Sequence, residues 1–397
     1  MLRGKTIVLG VTGSIAAYKI AGLASMLIKQ HGDVHVIMTK NATQFINPIT
    51  FETLTNNKCL VDTFDRNFQF HVAHVNLAAK ADIMLIAPAS ANVIGKAANG
   101  IADDMLTTTL MACKSPVYFS PAMNTNMFES PVLQDNLCKL QQYGYHVIAP
   151  AVGMLACRDV GAGKMPEPEV LYEYILREIA CEKDLKGRKV LVTAGPTREA
   201  IDPVRFITNH STGKMGYAIA KAAMLRGAEV TLVSGPVNIK PPMFVDLVNV
   251  ESAQEMYEAV TERMAEQHII IKSAAVADYC PCETATEKVK KKEGDMSISL
   301  VRTKDILQYI GNHKRENQIV CGFSMETENM LENSRKKLEK KNIDLIVANN
   351  LKVEGAGFGT DTNVVTIIGK EKQEELPIMS KEQVANELLD RIIHKNF

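Results

Sequence analysis

The chain has 397 residues, of which 46% are hydrophobic and 23% charged, and its 45 Lys and Arg balance its 45 Asp and Glu. This length exceeds one ordinary core and predicts two domains of roughly 100–200 residues each. The composition excludes a disordered chain, and the balanced charge indicates no nucleic-acid partner. Since no apolar run approaches the roughly 20 residues that span a bilayer, we expect no membrane partner and a cytoplasmic protein.

The eight cysteines are scattered along the chain, without a CxxC pair or the Cys/His spacing of a zinc site. This usage is typical of reduced thiols rather than of a disulfide framework. The sequence therefore identifies no metal ligands, although one thiol of the first half, discussed below, stands in a segment of unusual composition.

Strand-like apolar runs alternate with helical periodicity almost from end to end, which predicts an α/β protein with parallel sheets covered by helices. In the first half, strands are predicted at Thr6–Val11, Val34–Met38, Ile83–Ala87 and Val117–Ser120. Helices are predicted at Ile15–Lys29, Asp103–Ala112, Asn126–Tyr143 and Glu167–Lys183. Together these elements indicate one doubly wound parallel-sheet domain.

The pattern begins again at the strand-like run Lys189–Ala194, so we place the boundary near 184–187 and expect domains at 1–186 and 187–397. Further strands are predicted at Glu229–Val233, Ile269–Ser273, Gln318–Phe323 and Leu345–Ala348. Helices are predicted at Lys214–Arg226, Ala253–Glu266, Glu328–Lys341 and Lys381–Lys395. The segment Cys280–Thr303 shows neither a strand pattern nor a helix pattern. Its four lysines within residues 288–292 predict an exposed flap.

Three segments of the first half predict a ligand site at the carboxyl edge of its sheet. Gly10–Ala17 follows the first strand and opens the first helix, where free backbone N–H groups favour a phosphate. The spacing differs from GxGxxG and no acidic residue ends the second strand, so a mononucleotide fits better than NAD. Residues 88–92 and 120–124 end the next two strands, and Gly153–Lys164 is suited to a mobile lid that carries Cys157.

Five ordered motifs of this half resemble the flavin-dependent phosphopantothenoylcysteine decarboxylases, namely GVTGSIAAYK, HVAHVNLA, PASAN, PAMN and GMLACRDVGAGKM. The resemblance implies a flavoprotein-like fold and an FMN cofactor that serves as the electron sink for decarboxylation. It further implies that FMN is contacted by Gly13, Ser14, Ile15, Thr39, Ser90, Asn92 and Met123.

The same resemblance implies three catalytic residues. His74 is expected to be the base beside the flavin, Asn124 to hold the substrate carboxylate, and Cys157 to donate a proton to the intermediate. Imidazole, amide and thiol chemistry suit these roles. His71 is a nearby competitor, and we favour His74 because the family's histidine precedes a short apolar–polar–Leu segment, here Val75–Leu77.

The second half carries another series of motifs, which resembles phosphopantothenate–cysteine ligase of the bacterial CTP-using type. The motifs lie at Val192–Glu199, Asp202–Arg205, Asn209–Gly216 and Ser273–Tyr279, then on the flap and beyond. The resemblance implies that CTP activates a carboxylate as an acyl-cytidylate, with Mg²⁺ present, and that cysteine then displaces CMP. It assigns Asn209 to the acyl-cytidylate and Lys288 to its stabilisation during amide formation.

By the same resemblance, the CTP pocket consists of Ser273, Ala274, Asp278, Lys288, Lys304, Asp305, Ile306, Leu307, Phe323, Lys337 and Lys341. Three positions of the chain depart from the families. Arg158 stands where a glycine usually follows the lid cysteine, Lys164 replaces an arginine, and Lys272 replaces a smaller or apolar residue.

The two halves together predict a two-step enzyme of coenzyme A biosynthesis, because the ligase product is the decarboxylase substrate. Its expected partners are phosphopantothenate, cysteine and CTP. By resemblance we expect a homo-oligomer with trimeric amino-terminal and dimeric carboxyl-terminal contacts.

Two alternatives are a non-catalytic flavin-fold regulatory subunit of protein phosphatases and a nicotinamide oxidoreductase. The presence of His74, Asn124 and Cys157 argues against the first, and the missing GxGxxG and ribose-binding acid against the second.

Overall fold

The computed structural model describes residues 1–64, 73–154, 160–290, 296–325, 329–349 and 359–394. It divides the chain into two compact units, Met1–Cys181 and Glu182–Phe397. Each unit has its own parallel sheet, which confirms the predicted α/β class. Among the described residues, every helix is too short or too polar to span a bilayer.

The first unit is built on a five-stranded sheet and an added hairpin. Its strands are Thr6–Val11 (β1), Asp33–Met38 (β2), Ile83–Ala89 (β3), Val117–Pro121 (β4), His146–Val147 (β5), Ala151–Met154 (β6) and Val160–Lys164 (β7). Its helices are Ala17–Lys29 (α1), Pro48–Thr55 (α2), Ala73–Lys80 (α3), Ala91–Ala98 (α4), Met105–Ala112 (α5), Thr125–Phe128 (α6), Pro131–Gln142 (α7) and Pro168–Ile179 (α8). A short 3₁₀ turn lies at Ala42–Gln44.

The sheet of the first unit has the strand order β2-β1-β3-β4-β5 and is parallel throughout. Its central strands are continuous apolar runs because helices cover both faces; all seven residues of β3 are buried. The order reverses between β1 and β3, where Ile7 is opposite Ile83. Loops that leave these two strands diverge to opposite faces and open a crevice at the carboxyl edge.

One helix prediction in this unit is wrong, and the segment predicted as a lid has paired strands at its two ends. The single helix predicted at residues 126–143 is two helices, because Pro131 starts α7 and cannot donate a backbone hydrogen bond to a preceding turn. The predicted lid begins and ends as an antiparallel ladder, in which Gly153 is opposite Gly161 and Met154 opposite Val160. The two described ends of this segment therefore pair with each other, and its role as a mobile lid stays a prediction.

The second unit is built on an eight-stranded sheet with three short two-stranded ribbons. Its strands are Lys189–Ala194 (β8), Arg198–Ala200 (β9), Phe206–Thr208 (β10), Glu229–Ser234 (β11), Asp246–Asn249 (β12), Ile269–Lys272 (β13), Tyr279–Pro281 (β14), Leu300–Arg302 (β15), Ile319–Met325 (β16), Leu345–Asn349 (β17), Thr362–Asn363 (β18), Val365–Gly369 (β19), Gln373–Glu375 (β20) and Met379–Ser380 (β21). Its helices are Lys214–Leu225 (α9), Ala253–Arg263 (α10), Ile306–His313 (α11), Met330–Lys340 (α12) and Lys381–His394 (α13), with a 3₁₀ turn at Met264–Glu266.

The sheet of the second unit has the order β12-β11-β8-β13-β16-β17-β19-β20, parallel from β12 to β17. This Rossmann-like order reverses between β8 and β13, which again opens a crevice at the carboxyl edge. Strands β19 and β20 are antiparallel additions that the sequence did not predict. The flap prediction also missed a ribbon, since β14 pairs with β15 and holds the two ends of the flap together.

Candidate functional site

A cavity of about 640 Å³ opens at the carboxyl edge of the first unit's sheet. Three separate parts of the chain form it: the loop after β1, the loop after β4 and the hairpin of β6 and β7. Its lining includes Ser14, Ile15, Ala16, Tyr18, Lys19, Met123, Asn124, Met154, Gly163, Lys164 and Glu167. The predicted convergence of the glycine turn with the strand-end motif at 120–124 therefore occurs in the folded chain.

The turn after β1 is shaped by a close approach of two loops. A Cβ atom on Gly13 would lie 2.6 Å from the Cβ of Asn41, so only glycine allows the first loop to pass the loop after β2. The helix α1 begins at Ala17, and its N-cap residue Ala16 supplies no side-chain cap. The side chain of the N-cap residue therefore does not occupy the first backbone N–H groups of α1, which lie at the cavity.

Thr12 joins the loop after β1 to the loop after β3. Its Oγ1 accepts a hydrogen bond from the backbone N–H of Ser90 at 2.9 Å and donates to the carbonyl of Pro88 at 2.6 Å. The Ser90 hydroxyl caps α4, and Asn92 lies in the first turn of that helix. Thr39 follows β2, where its Oγ1 accepts from the N–H of Ala42 at 3.3 Å. Thr39, Ser90 and Asn92 therefore all lie at the same edge of the sheet.

Asn124 is held in one orientation by its own helix. Its Oδ1 accepts a hydrogen bond from the N–H of Asn126 at 2.9 Å and so caps α6. The preceding residue, Met123, donates its N–H to the carbonyl of Gly163 at 3.0 Å, which joins this loop to β7. Gly163 has φ = 126°, and a Cβ there would lie 2.4 Å from the carbonyl oxygen of Met123. The hairpin is thus fitted tightly against the Asn124 loop.

Two lysines share one carboxylate at the mouth of the cavity. The Nζ of Lys19 lies 2.7 Å from Glu167 Oε1, and the Nζ of Lys164 lies 3.7 Å from the same atom. The hydrogen bond from Lys19 is the main reason that the pKa of Glu167 is lowered from its ordinary value. The cationic residue that replaces the family's arginine, Lys164, therefore does face the cavity.

The other two predicted catalytic residues of this unit, His74 and Cys157, are not found at the cavity wall in the described part of the chain. His74 is the second residue of α3 and half-buried, and it is not among the residues that line the cavity. Cys157 and Arg158 fall in the sequence between β6 and β7 and lie outside the described residues. His71, which precedes α3 in the sequence, also lies outside them. Sequence reasoning missed Tyr18, which lies within the motif GVTGSIAAYK and is 60% exposed at the cavity.

In the second unit, a pocket of about 420 Å³ lies at the carboxyl edge beside the strand-order reversal. It is lined by Lys272, Val276, Ala277, Asp278, Tyr279, Arg302, Thr303, Lys304, Asp305 and Ile306. Four of the predicted CTP residues, namely Asp278, Lys304, Asp305 and Ile306, are therefore gathered in one place. Lys272, the residue that departs from the family, lies among them.

The charged residues of this pocket are held by specific contacts. Asp305 caps α11 by accepting the N–H of Gln308 at 2.9 Å, and its other carboxylate oxygen pairs with Lys341. Because these contacts favour the ionised form, the pKa of Asp305 is lowered although burial opposes the shift. The ammonium of Lys304 lies 4.8 Å from the centroid of the Tyr257 ring. Lys304 and Asp305 thus have defined positions at the pocket.

The remaining predicted CTP residues are not among those that line the pocket. Ser273 is half-buried directly after β13, and the N–H of Ala274 donates to Thr193 Oγ1 at 3.1 Å. Leu307 is 9% exposed and belongs to the hydrophobic core of the unit, and Phe323 is half-buried on β16. Lys337 is exposed on α12.

Asn209 and Lys288 lie on segments that are tied to the pocket loops. The Nδ2 of Asn209 donates to the carbonyls of Ala275 and Val276, each at 3.1 Å. Lys288 is exposed on the flap, next to Val289. The contacts of Asn209 join the end of β10 to the loop that leads into Asp278.

The flap is clamped beside Lys288 by the motif Asp202–Arg205. Asp202 accepts the N–H of Val289 at 3.1 Å, and Arg205 Nη2 donates to the carbonyl of Val289 at 2.9 Å. Arg205 also pairs with Asp202, and this contact holds the pKa of the Asp202 carboxyl well below its usual range. The carboxylate therefore stays ionised, and the clamp persists, until the pH falls far below the ordinary value for Asp.

We expect Asp202→Asn to loosen the flap. An amide cannot satisfy both Arg205 and the N–H of Val289 as the carboxylate does, and hydrogen bonds to charged groups contribute about 1.5–3 kcal/mol. Limited tryptic cleavage after Lys288 and Lys290 should be roughly tenfold faster than in the wild type. The control is Glu251→Gln, which removes an exposed carboxylate 3.5 Å from Arg198. Equal cleavage rates in the wild type and Asp202→Asn would show that the clamp does not hold the flap.

Comparison with known proteins agrees with this division of the chain. The family model described as "Flavoprotein" matches residues 1–180, and the model for the DNA/pantothenate metabolism flavoprotein C-terminal domain matches residues 185–395. The coenzyme A biosynthesis bifunctional protein CoaBC of Bacillus subtilis is 48% identical over 396 residues, which cover 99% of this chain and 97% of the relative.

Two further similarities concern parts of the chain. A cysteine/cysteine sulfinic acid decarboxylase from an unidentified prokaryote is 44% identical over 354 residues, which are 88% of this chain and 99% of that protein. The crystal structure of the C-terminal domain of a CoaBC protein is 45% identical, with a TM-score of 0.47, and covers 54% of this chain and 98% of that one.

The two family models cover both halves in the expected order, and the Bacillus subtilis relative matches almost the entire length of the chain. The resemblance found in the sequence is thereby confirmed. The chain belongs to the family of the bifunctional coenzyme A biosynthesis proteins, which join a flavoprotein decarboxylase to a phosphopantothenate–cysteine ligase.

Proposed function

We propose that the second unit joins cysteine to 4'-phosphopantothenate with CTP and Mg²⁺, and that the first unit decarboxylates the product to 4'-phosphopantetheine with FMN. The observation that carries the proposal is the convergence of Ser14, Ile15, Met123 and Asn124 at one cavity. These residues come from the two motifs that the decarboxylase resemblance assigned to FMN and to the substrate carboxylate.

The cavity has the features that FMN requires. Its volume of about 640 Å³ falls within the 300–1,000 Å³ range of small-molecule sites. The first turn of α1 offers backbone N–H groups for the phosphate, while Ile15 and Met123 offer apolar surface for the ring. When bound, FMN supplies an acceptor for two electrons from the thiol-bearing carbon and later returns them.

The chain's own residues orient the substrate and move protons around this cofactor. Asn124 recognises the substrate carboxylate, and the N–H of Asn126 keeps its amide plane fixed for that purpose. An amide binds the carboxylate without protonating it, so the carboxylate remains able to leave as carbon dioxide. His74 serves as base and Cys157 as proton donor, because an imidazole accepts a proton and a thiol can give one up.

The pocket of the second unit is suited to an activated carboxylate. A carboxylate is a poor electrophile, and coupling to the α-phosphorus of CTP provides a leaving group that the amine of cysteine displaces. Lys288 offsets the negative charge that develops during this displacement. Asn209 holds the acyl-cytidylate from a position fixed by Ala275 and Val276. Mg²⁺ is expected to arrive with the phosphates of CTP.

The assembly and location of the enzyme are part of the proposal. Ile15 is 55% exposed and Tyr18 is 60% exposed at the mouth of the cavity. Such apolar surface beside a ligand site supports closure by another copy of the chain, as expected for a homo-oligomer. Its substrates are phosphorylated and polar, and we place the enzyme in the cytoplasm.

The proposal is tested with the purified full chain, phosphopantothenate, cysteine and either CTP or ATP. We expect a yellow protein with the bands of oxidised flavin, from which FMN is released on denaturation. CTP should support formation of phosphopantothenoylcysteine and then phosphopantetheine, both detected by mass, and ATP should support much less. A colourless protein that binds NADH, or ligation that needs no nucleotide, would contradict the proposal.

A further inference from the structure

Lys272 is a cation that the resemblance to the ligases does not explain. It is the last residue of β13, the strand between β8 and β16, where it lies opposite Thr193 and Gly322. The carboxyl end of β13 borders the reversal of strand order, and Lys272 lines the pocket that contains Asp278 and Asp305. A lysine at this place is therefore part of the candidate nucleotide site.

The surroundings of Lys272 make its charge costly in the absence of a ligand. Burial lowers the pKa of its ammonium, Asp305 and Asp278 oppose this shift, and the nearby Lys337 and Lys341 reinforce it. The ammonium has three donors, and within the part of the chain that the structure describes it donates one hydrogen bond, to the carbonyl of Ala274 at 3.1 Å. Lys272 is half-buried at the wall of the pocket, and an ammonium that is partly withdrawn from water gains stability when it is paired with an anion.

The carboxylate of Asp305, an acidic residue of the pocket, is already engaged by groups other than Lys272. The carboxylate of Asp305 already pairs with Lys341 and caps α11 through the N–H of Gln308. Three lysines from two elements, Lys272, Lys337 and Lys341, thus face two aspartates in one region. A ligand with several negative charges, such as a triphosphate, would bring these cations together favourably, whereas a neutral base would not.

We propose that Lys272 is a further nucleotide-binding residue of the ligase and that its ammonium contacts phosphate oxygens of bound CTP. The inference rests on the proposed CTP-dependent ligation. Contact with an anion stabilises the protonated form of Lys272, so CTP binding should become weaker as the pH rises from neutral to alkaline. Lys337, Lys341, Asp278 and Asp305 face the same region and are present in both the wild type and the variant. The difference between the two proteins therefore isolates Lys272.

The test is calorimetric titration of the full chain with Mg²⁺ and CTP, CMP or cytidine, using the wild type and Lys272→Met. Methionine keeps the length of the side chain and removes the charge. We expect CTP to bind about 10- to 100-fold more weakly to the variant, the range for loss of a charge-assisted hydrogen bond. Cytidine binding should change little. The control is Lys336→Met, which removes an exposed lysine paired with Glu332 on α12 and should bind CTP like the wild type.

A second measurement shows that the variant is folded. Because a half-buried ammonium costs free energy of desolvation in the ligand-free protein, Lys272→Met should unfold at the same or a higher temperature than the wild type. CTP should raise that temperature less in the variant than in the wild type.

The outcomes separate this inference from the proposed function. If the wild type does not bind CTP, the proposed ligation and this inference both fail. If the wild type binds CTP and Lys272→Met binds it equally well with the same pH dependence, the inference alone is overturned. If the variant loses affinity for cytidine by the same factor as for CTP, Lys272 does not contact the phosphates.

Discussion

Lys288→Gln is expected to stop the ligase after its first half-reaction. The variant should release pyrophosphate from CTP and accumulate the acyl-cytidylate, while the rate of amide formation falls by about 10²–10³, the usual effect of removing one group that stabilises developing charge. The position of Lys288 supports this expectation, because the adjacent Val289 is clamped by both Asp202 and Arg205. The backbone of the neighbouring Val289 thus fixes where Lys288 lies on the flap.

The accumulated intermediate can be identified by mass after rapid quenching with acid. Lys290→Gln is the matched control, since Lys290 is also exposed and lies two residues further along the flap. Decarboxylation of added phosphopantothenoylcysteine by the same preparation serves as an internal control for folding of the first unit. Ligation by Lys288→Gln at the wild-type rate would show that Lys288 does not stabilise the displacement step.

Gly163→Ala is expected to weaken decarboxylation and flavin retention strongly while ligation continues. Gly163 has φ = 126°, where a side chain is strained, and such a residue costs about 1–3 kcal/mol. The added Cβ would also lie 2.4 Å from the carbonyl oxygen of Met123, so the loop that carries Met123 and Asn124 must move. Because both residues line the cavity, we expect at least a tenfold loss of decarboxylase activity and a paler protein.

The hairpin provides a matched control in Gly153→Ala. Among the described residues, a Cβ on Gly153 would meet the Cδ of Lys164 alone, at 3.8 Å, which is an ordinary contact with a flexible side chain. This variant should keep its flavin and its activity. Retention of flavin absorbance and decarboxylation by Gly163→Ala would show that the tight fit of β7 against Met123 is not required for the site.

The parallel sheets could be predicted well because their central strands are continuous apolar runs. The predicted limits of β1 and β8 agree with the structure at both ends. Strand β20 was missed because its residues, Gln373–Glu375, are exposed and polar and give no apolar signal. The exposed strand β15, Leu300–Arg302, was missed because three residues are too few to show alternation.

Within the sites, residues next to strand ends could be predicted and residues brought in by tertiary contacts could not. Asn124 lies in the loop that leaves β4, so its place at the carboxyl edge follows from the strand prediction. The ion pair of Glu167 with Lys19 at the cavity joins residues that are 148 positions apart in the chain. The clamp of Asp202 on Val289 likewise spans 87 residues. No local pattern reports such contacts.

The central claim is that one chain forms phosphopantothenoylcysteine and then removes the carboxyl group that came from cysteine. Cysteine labelled with ¹³C at its carboxyl carbon tests this claim most directly, because the label is lost only at the decarboxylation step. With the purified full chain, we expect labelled carbon dioxide when phosphopantothenate and CTP are both present, and none when either is omitted. Release of labelled carbon dioxide from cysteine alone would contradict the account and indicate direct cysteine decarboxylation instead.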